Sequence, residues 1–219
     1  MTDSRKERER AELFRVIWNI ANDLRGSVDG WDFKQYVLGM LFYRYISENL
    51  AVYINEGEQE AGNAGFDYAE LSDVEAEEAR AGLVAAKGFF ILPSELFENV
   101  RRRAAQDENL NETLEAVFRN IEASAQGSVS EDDFKGLFDD IDVNSNKLGS
   151  SVAKRNERLV KLMNGVADMR LGRYRDNTID AFGDAYEYLM GMYASNAGKS
   201  GGEYFTPQEV SELLTRIAV

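Results

Sequence analysis

The chain has no cysteine and no histidine among its 219 residues. Disulfides, zinc sites of the usual Cys/His type and nucleophile–histidine triads are therefore excluded. Only two prolines occur, Pro93 and Pro207, so few positions forbid helix. Positive charge is in deficit: 25 basic residues face 39 acidic ones, a formal net charge of -14. Such a body repels a phosphate backbone as a whole, so any nucleic-acid contact has to be local or supplied by a partner. Uncharged apolar runs long enough for a membrane are also missing. The most apolar stretch, FKQYVLGMLFYRYISENLAVYI, carries Lys34, Arg44 and Glu48 and reads as a central core helix. The N-terminus, MTDSRKERER, is charged and lacks the apolar core of a signal peptide, which with the acidic balance points to the cytoplasm and to no membrane.

Hydrophobic residues make up 44% of the chain, ample for a buried core, and good helix formers lie between short glycine-rich breaks. The fold class expected is mainly α. Leu13, Ile17, Ile20 and Leu24 form one stripe of a first helix over about residues 4–24, widened by Phe14, Trp18 and Ala21. Asp29 suits the N-cap of a long second helix to about Ile54, with Trp31 and Phe33 as aromatic anchors. NEGEQEAGNAG then reads as an exposed break, and FDYAELSDVEAEEARAGLVAAKG as weak helix or irregular chain. FFILP is a short apolar run suited to a strand or an extended plug. Pro93 and Ser94 stand at a helix onset, and Leu110, Leu114, Val117, Phe118 and Ile121 share one face of another helix. A further helix carries Val152, Leu159, Leu162, Met163 and Val166. Neither an internal repeat nor a low-complexity tract is present.

Four stretches invite a chemical reading. YASNAGKSGGEYFTPQEV, residues 193–210, resembles a phosphate cradle, but with Gly198-Lys199-Ser200 as the G-K-S the first glycine would have to stand where Tyr193 is. Its lead-in has Ile179, Phe182, Tyr186, Leu189 and Tyr193 at helical spacing, whereas a P-loop emerges from a strand, so a loop between helices is favoured. Asp140, Asp142 and Asn144 fit the first positions of an EF-hand loop, yet Ser145 replaces the turn glycine and Ser151 the bidentate glutamate, so a side-chain-capped turn is expected. The basic runs RRR at 101–103 and MRLGRYR at 169–175 are the candidates for a phosphate-facing patch, with a solvated helix face the commoner meaning. No metal site and no catalytic residue can be singled out.

WDFKQYVLGMLFYRYIS, LFDDIDVNSNKLGSSVAKRNERLVKLM and DAFGDAYEYLMGMYASNAGKSGGEYFTPQEVSELL together resemble the modification (M) subunit of type I restriction-modification systems, a DNA adenine methyltransferase. The resemblance runs from about Trp18 to the end, and its most specific part is GDAYEYLMGMYASNAGKSGGEYFTP. It implies a helical N-terminal domain over residues 1–174, then, over 175–219, the truncated lead-in helices of an α/β methyltransferase domain. In that family the run matching Gly202, Glu203, Tyr204, Phe205, Thr206 and Pro207 helps line the S-adenosylmethionine pocket, so Glu203, Tyr204, Phe205, Thr206 and Pro207 are the expected cofactor-binding residues. The residues themselves agree, since Thr206 as N-cap and Pro207 at the first helical position present amide groups able to meet a carboxylate. A plain capped helix has the same pattern, and the two readings are compatible. The partners implied are a specificity subunit, a second modification subunit, a restriction subunit and, in the assembled complex, DNA. The Asn/Asp-Pro-Pro-aromatic motif of the family is missing, as is its glycine-rich strand-to-helix turn, so this stretch is expected to be the N-terminal portion of a longer enzyme, serving subunit interaction and DNA clamping and inactive alone. The rival expectation is a stand-alone helical adaptor without enzymatic activity.

Overall fold

A computed structural model describes residues 2–23, 30–169, 181–194, 210 and 214–217. All regular structure among these residues is helical, and no strand is present. The chain divides into two units, one of residues 15–170 and one of residues 1–14 together with 171–219. Helix α1 (Thr2–Asp23) contributes to both.

In the larger unit the core is built around α2 (Gly30–Glu60), whose Phe33, Tyr36, Val37, Met40, Leu41, Tyr43 and Leu50 are all buried. α4 (Phe97–Arg103) and α7 (Val152–Ala167) pack on it, and α5 (Leu110–Ser124) packs on α7. The apolar stripe expected of α5 is buried throughout, Leu114, Val117 and Ile121 among it, and that of α7 is buried at Leu159, Leu162, Met163 and Val166, whereas Val152 in the first turn of α7 stays exposed. Three aromatic rings knit the layers together: Tyr43 meets Phe118 edge-on at 5.6 Å, and Phe118 stacks on Phe138 at 4.4 Å.

Two elements differ from the sequence expectation. Helix α2 does not stop near Ile54 but runs on to Glu60. Gly57 is exposed there and costs the helix only about 1 kcal/mol, while Asn55 gains long-range partners, donating to Asp67 Oδ1 at 3.3 Å and accepting from the Tyr68 amide at 2.8 Å. The stretch after the following loop is a well-formed α3 (Asp73–Lys87), because Ser72 and Glu75 make a reciprocal capping box. Gly88 closes α3 in the left-handed region at φ 83, where a side chain would also strike Ser130.

For the apolar run after Gly88 the plug, not the strand, is observed. Phe89, Phe90 and Ile91 are buried without regular structure. With no neighbouring strand, side chains take up the backbone groups: Ser124 Oγ accepts from the Phe90 amide at 2.9 Å and Tyr68 Oη donates to the Ile91 carbonyl at 2.7 Å. The expected helix onset at Pro93 is a 3₁₀ turn, Pro93–Glu95, leading directly into α4. Short α6 (Glu131–Phe134) follows α5. The expected N-cap Asp29 lies outside the described residues.

Candidate functional site

The smaller unit carries the stretch on which the cofactor expectation rests. Its described helix α8 (Ala181–Ala194) contains GDAYEYLMGMYA, and the residues named for the cofactor, Glu203, Tyr204, Phe205, Thr206 and Pro207, lie outside the described residues, as does the glycine-rich loop before them. Ala185 and Leu189 of α8 are buried, while Tyr186 is exposed. Asp184 is buried, as is Ala185 beside it, and its Oδ1 lies 2.9 Å from Nη2 of Arg10. Its Oδ2 is enclosed with no hydrogen-bond partner, so the charge of Arg10 is what compensates this carboxylate. One turn on, Tyr188 stacks on Phe14 with centroids 4.1 Å apart and planes 9° from parallel. The pairing with Arg10 was not anticipated from the sequence, although a single acid on an apolar helix face is a legible request for a buried cation.

In the larger unit, three features stand out in the packing. Arg44, its side chain 12% exposed, donates through Nη1 to the carbonyl oxygens of Val166 at 2.6 Å and Met169 at 2.7 Å, and through Nε to Glu48 at 2.6 Å. A guanidinium thus closes the C-terminal end of α7, where the helix dipole is negative. The turn at Pro93–Glu95 is a clasp between helices. Tyr43 Oη donates to the Glu95 carbonyl at 2.5 Å, Asn120 Nδ2 to Glu95 Oε1 at 2.5 Å, and Ser94 Oγ to Asp73 Oδ2 at 2.6 Å. Burial raises the Glu95 carboxyl above its ordinary pKa, opposed by the Asn120 hydrogen bond and reinforced by Asp73. Burial likewise raises the Tyr43 hydroxyl, which stays a neutral donor. A groove of about 660 Å³ runs between the α4–α5 joint and the start of α7, walled by Ala104, Ala105, Val152, Ala153 and Val160. Asn156 at its wall donates to the Glu108 carbonyl and accepts from the Asn111 amide.

In the basic run at 101–103, Arg101 is half-buried and Arg102 and Arg103 are exposed. Arg101 is held by Glu98 at 2.7 Å and by Asn164, and Arg102 by Glu98 at 3.2 Å, so Glu98 answers two of the three cations. These partners hold the Glu98 carboxyl below its ordinary pKa. Of the run at 169–175 only Met169 is described. The EF-hand-like stretch is the capped turn expected: Asp142 Oδ1 accepts from the Asn144 amide, Ser145 Oγ from the Lys147 amide, and Ser151 caps α7. Among the described residues no group of three or more acidic side chains is placed to hold a metal ion, and no helix is long and apolar enough to cross a membrane.

Among the described residues the larger unit is helical and strand-free, and the second unit contains the helix α8. Residues 13–166 match the HsdM N-terminal domain, and residues 177–219 match the N-6 DNA Methylase family. The chain is 48% identical, over 99% of its length, to the type I restriction enzyme MpnII methylase subunit of Mycoplasma pneumoniae, and 22% identical over 94% of its length to the MjaIX methylase subunit of Methanocaldococcus jannaschii. It covers 41% and 35% of those two proteins. The crystal structure of a type I restriction-modification system methyltransferase subunit from Streptococcus thermophilus superposes with a TM-score of 0.75 at 32% identity, over 95% of this chain and 44% of that one. The chain therefore belongs to the type I restriction-modification methylase subunits, of whose length it spans about two fifths. An adaptor without relation to methylases is incompatible with these matches.

Proposed function

We propose that the whole protein transfers a methyl group from S-adenosylmethionine to adenine in DNA, in a cytoplasmic complex with a specificity subunit, a second modification subunit and a restriction subunit. Residues 1–174 serve as the helical domain for subunit interaction and DNA clamping, and residues 175–219 as the lead-in of the methyltransferase domain. The observation that carries this reading is the succession of matches along one chain, a methylase-subunit helical domain to residue 166 and an N-6 DNA methylase stretch from residue 177. The composition agrees with it, since an acidic chain depends on a partner to read a DNA target. Glu203 to Pro207 line the cofactor pocket in the whole protein, the Thr206-Pro207 pair having the sequence pattern of a helix start able to meet the methionine carboxylate. With only two prolines, far apart, these 219 residues lack a Pro-Pro adenine grip and are inactive by themselves.

The test is transfer of labelled methyl groups to unmethylated DNA. The full-length protein with its specificity subunit is expected to produce N6-methyladenine, and the 219-residue chain to transfer nothing. Label appearing on cytosine, or transfer by the short chain alone, refutes the corresponding part of the reading.

A further inference from the structure

The first dozen residues precede the stretch that matches the HsdM N-terminal domain, yet structurally they belong with residues 171–219. Two contacts join residues 1–14 to α8: the Arg10–Asp184 ion pair, from the part before that match, and the Phe14–Tyr188 stack, from the second residue of the match. Arg10 and Phe14 sit four positions apart on α1, and Asp184 and Tyr188 four positions apart on α8, so each helix presents one face with a charge followed one turn later by a ring. This match of spacing fixes the register of one helix on the other. A slide by a residue would leave the enclosed carboxylate of Asp184 without its cation.

We propose that the N-terminal segment is a strut of the methyltransferase unit, with Arg10 and Phe14 as positioning residues that set α8 and, through it, the cofactor-binding run. α8 lies inside the N-6 DNA Methylase match and ends at Ala194, nine residues before Glu203. The role of that run rests on the function proposed above; the strut itself rests on the two contacts. Arg10 precedes both family matches, while Phe14 is the second residue of the helical-domain match.

The experiment uses the full-length protein and four variants: Arg10→Met, which keeps the aliphatic stem, Arg10→Lys, which keeps the charge, Phe14→Ala, and Val129→Ser on the exposed surface of the larger unit as control. Two quantities are read, hydrogen exchange of the α8 amides and the dissociation constant of S-adenosylmethionine by calorimetry. Arg10→Met and Phe14→Ala are expected to speed α8 exchange and to weaken cofactor binding by about tenfold, with Arg10→Lys restoring most of the affinity and Val129→Ser behaving as wild type. Exchange in α8 unchanged in both variants overturns the strut. Faster exchange with unaltered cofactor affinity overturns the positioning role. Failure of the wild-type protein to bind S-adenosylmethionine, with faster α8 exchange in the variants, overturns the proposed function and leaves the strut supported.

Discussion

Replacing Arg44 by Met keeps the aliphatic stem packed but removes the group that closes α7. The bonds to Val166 and Met169 are charge-assisted, and both residues are buried, so their carbonyl oxygens do not simply regain water. The Val166 oxygen keeps a second donor, the Met169 amide at 3.2 Å, which leaves the Met169 oxygen as the more exposed loss. A hydrogen bond to a charged group contributes ~1.5–3 kcal/mol and an unsatisfied buried acceptor costs ~1–3 kcal/mol. A total near 2–4 kcal/mol is expected, which for a chain of this size lowers the melting temperature by roughly 5–15 °C. Arg44→Lys keeps the charge at the helix end but not the fork, so about half of the loss is expected. Glu48→Gln removes only an ion pair whose acid is about half exposed, worth within ~0.5 kcal/mol. Urea titration followed by circular dichroism at 222 nm measures all three. A stability for Arg44→Met within about 1 kcal/mol of wild type, or a Glu48→Gln loss as large as that of Arg44→Met, would refute the carbonyl-closing role.

Gly39→Ala is expected to destabilise by roughly 1–3 kcal/mol, since the added Cβ falls 1.8 Å from Ile141 Cδ1, whereas Gly82→Ala on the open face of α3 meets nothing within 4 Å and should stabilise by about 0.5–1 kcal/mol; equal melting temperatures for the two would count against this packing. The carboxyls of Glu95 and Glu98 should give opposite pH signatures in the same urea experiment. The folded pKa of Glu95 is raised, so its ionisation disfavours the native state once the pH rises through the upper carboxylate range, and Glu95→Gln should gain on wild type at neutral pH but not in acid. That of Glu98 is lowered, so its contribution is present at neutral pH and lost as the pH falls through and below the ordinary glutamate range, making Glu98→Gln costly only above it. In the full-length protein Thr206→Ala, which removes a cap worth about 1 kcal/mol, and Phe205→Ala are expected to weaken S-adenosylmethionine binding severalfold while assembly with the specificity subunit persists; calorimetry showing unchanged affinity in both would reduce the EYFTP run to a capped helix start.

The sequence alone determined the helical class, because apolar periodicity in α5 and α7 is written in residues such as Leu114, Ile121, Leu159 and Val166, and burial follows periodicity whatever the neighbours are. Family membership was also legible, through the ordered run GDAYEYLMGMYASNAGKSGGEYFTP. So was the turn at Asp142, since Asx and Ser side chains cap the chain within two or three residues of themselves. What tertiary structure decided is what depends on partners distant along the chain. The extra turns of α2 came with the reach of Asn55 to Asp67 and Tyr68, and Phe90 and Ile91 became a plug rather than a strand because Ser124 and Tyr68 supplied hydrogen bonds that no strand offered. Arg44 and Arg10 look alike in a sequence, one more cation each on a helix. Only the arrival of Val166, 122 residues away, and of Asp184 at 2.9 Å distinguishes them from solvated charges, because the strength of a charge is set by the water it loses and the partner it meets, and neither is local in sequence.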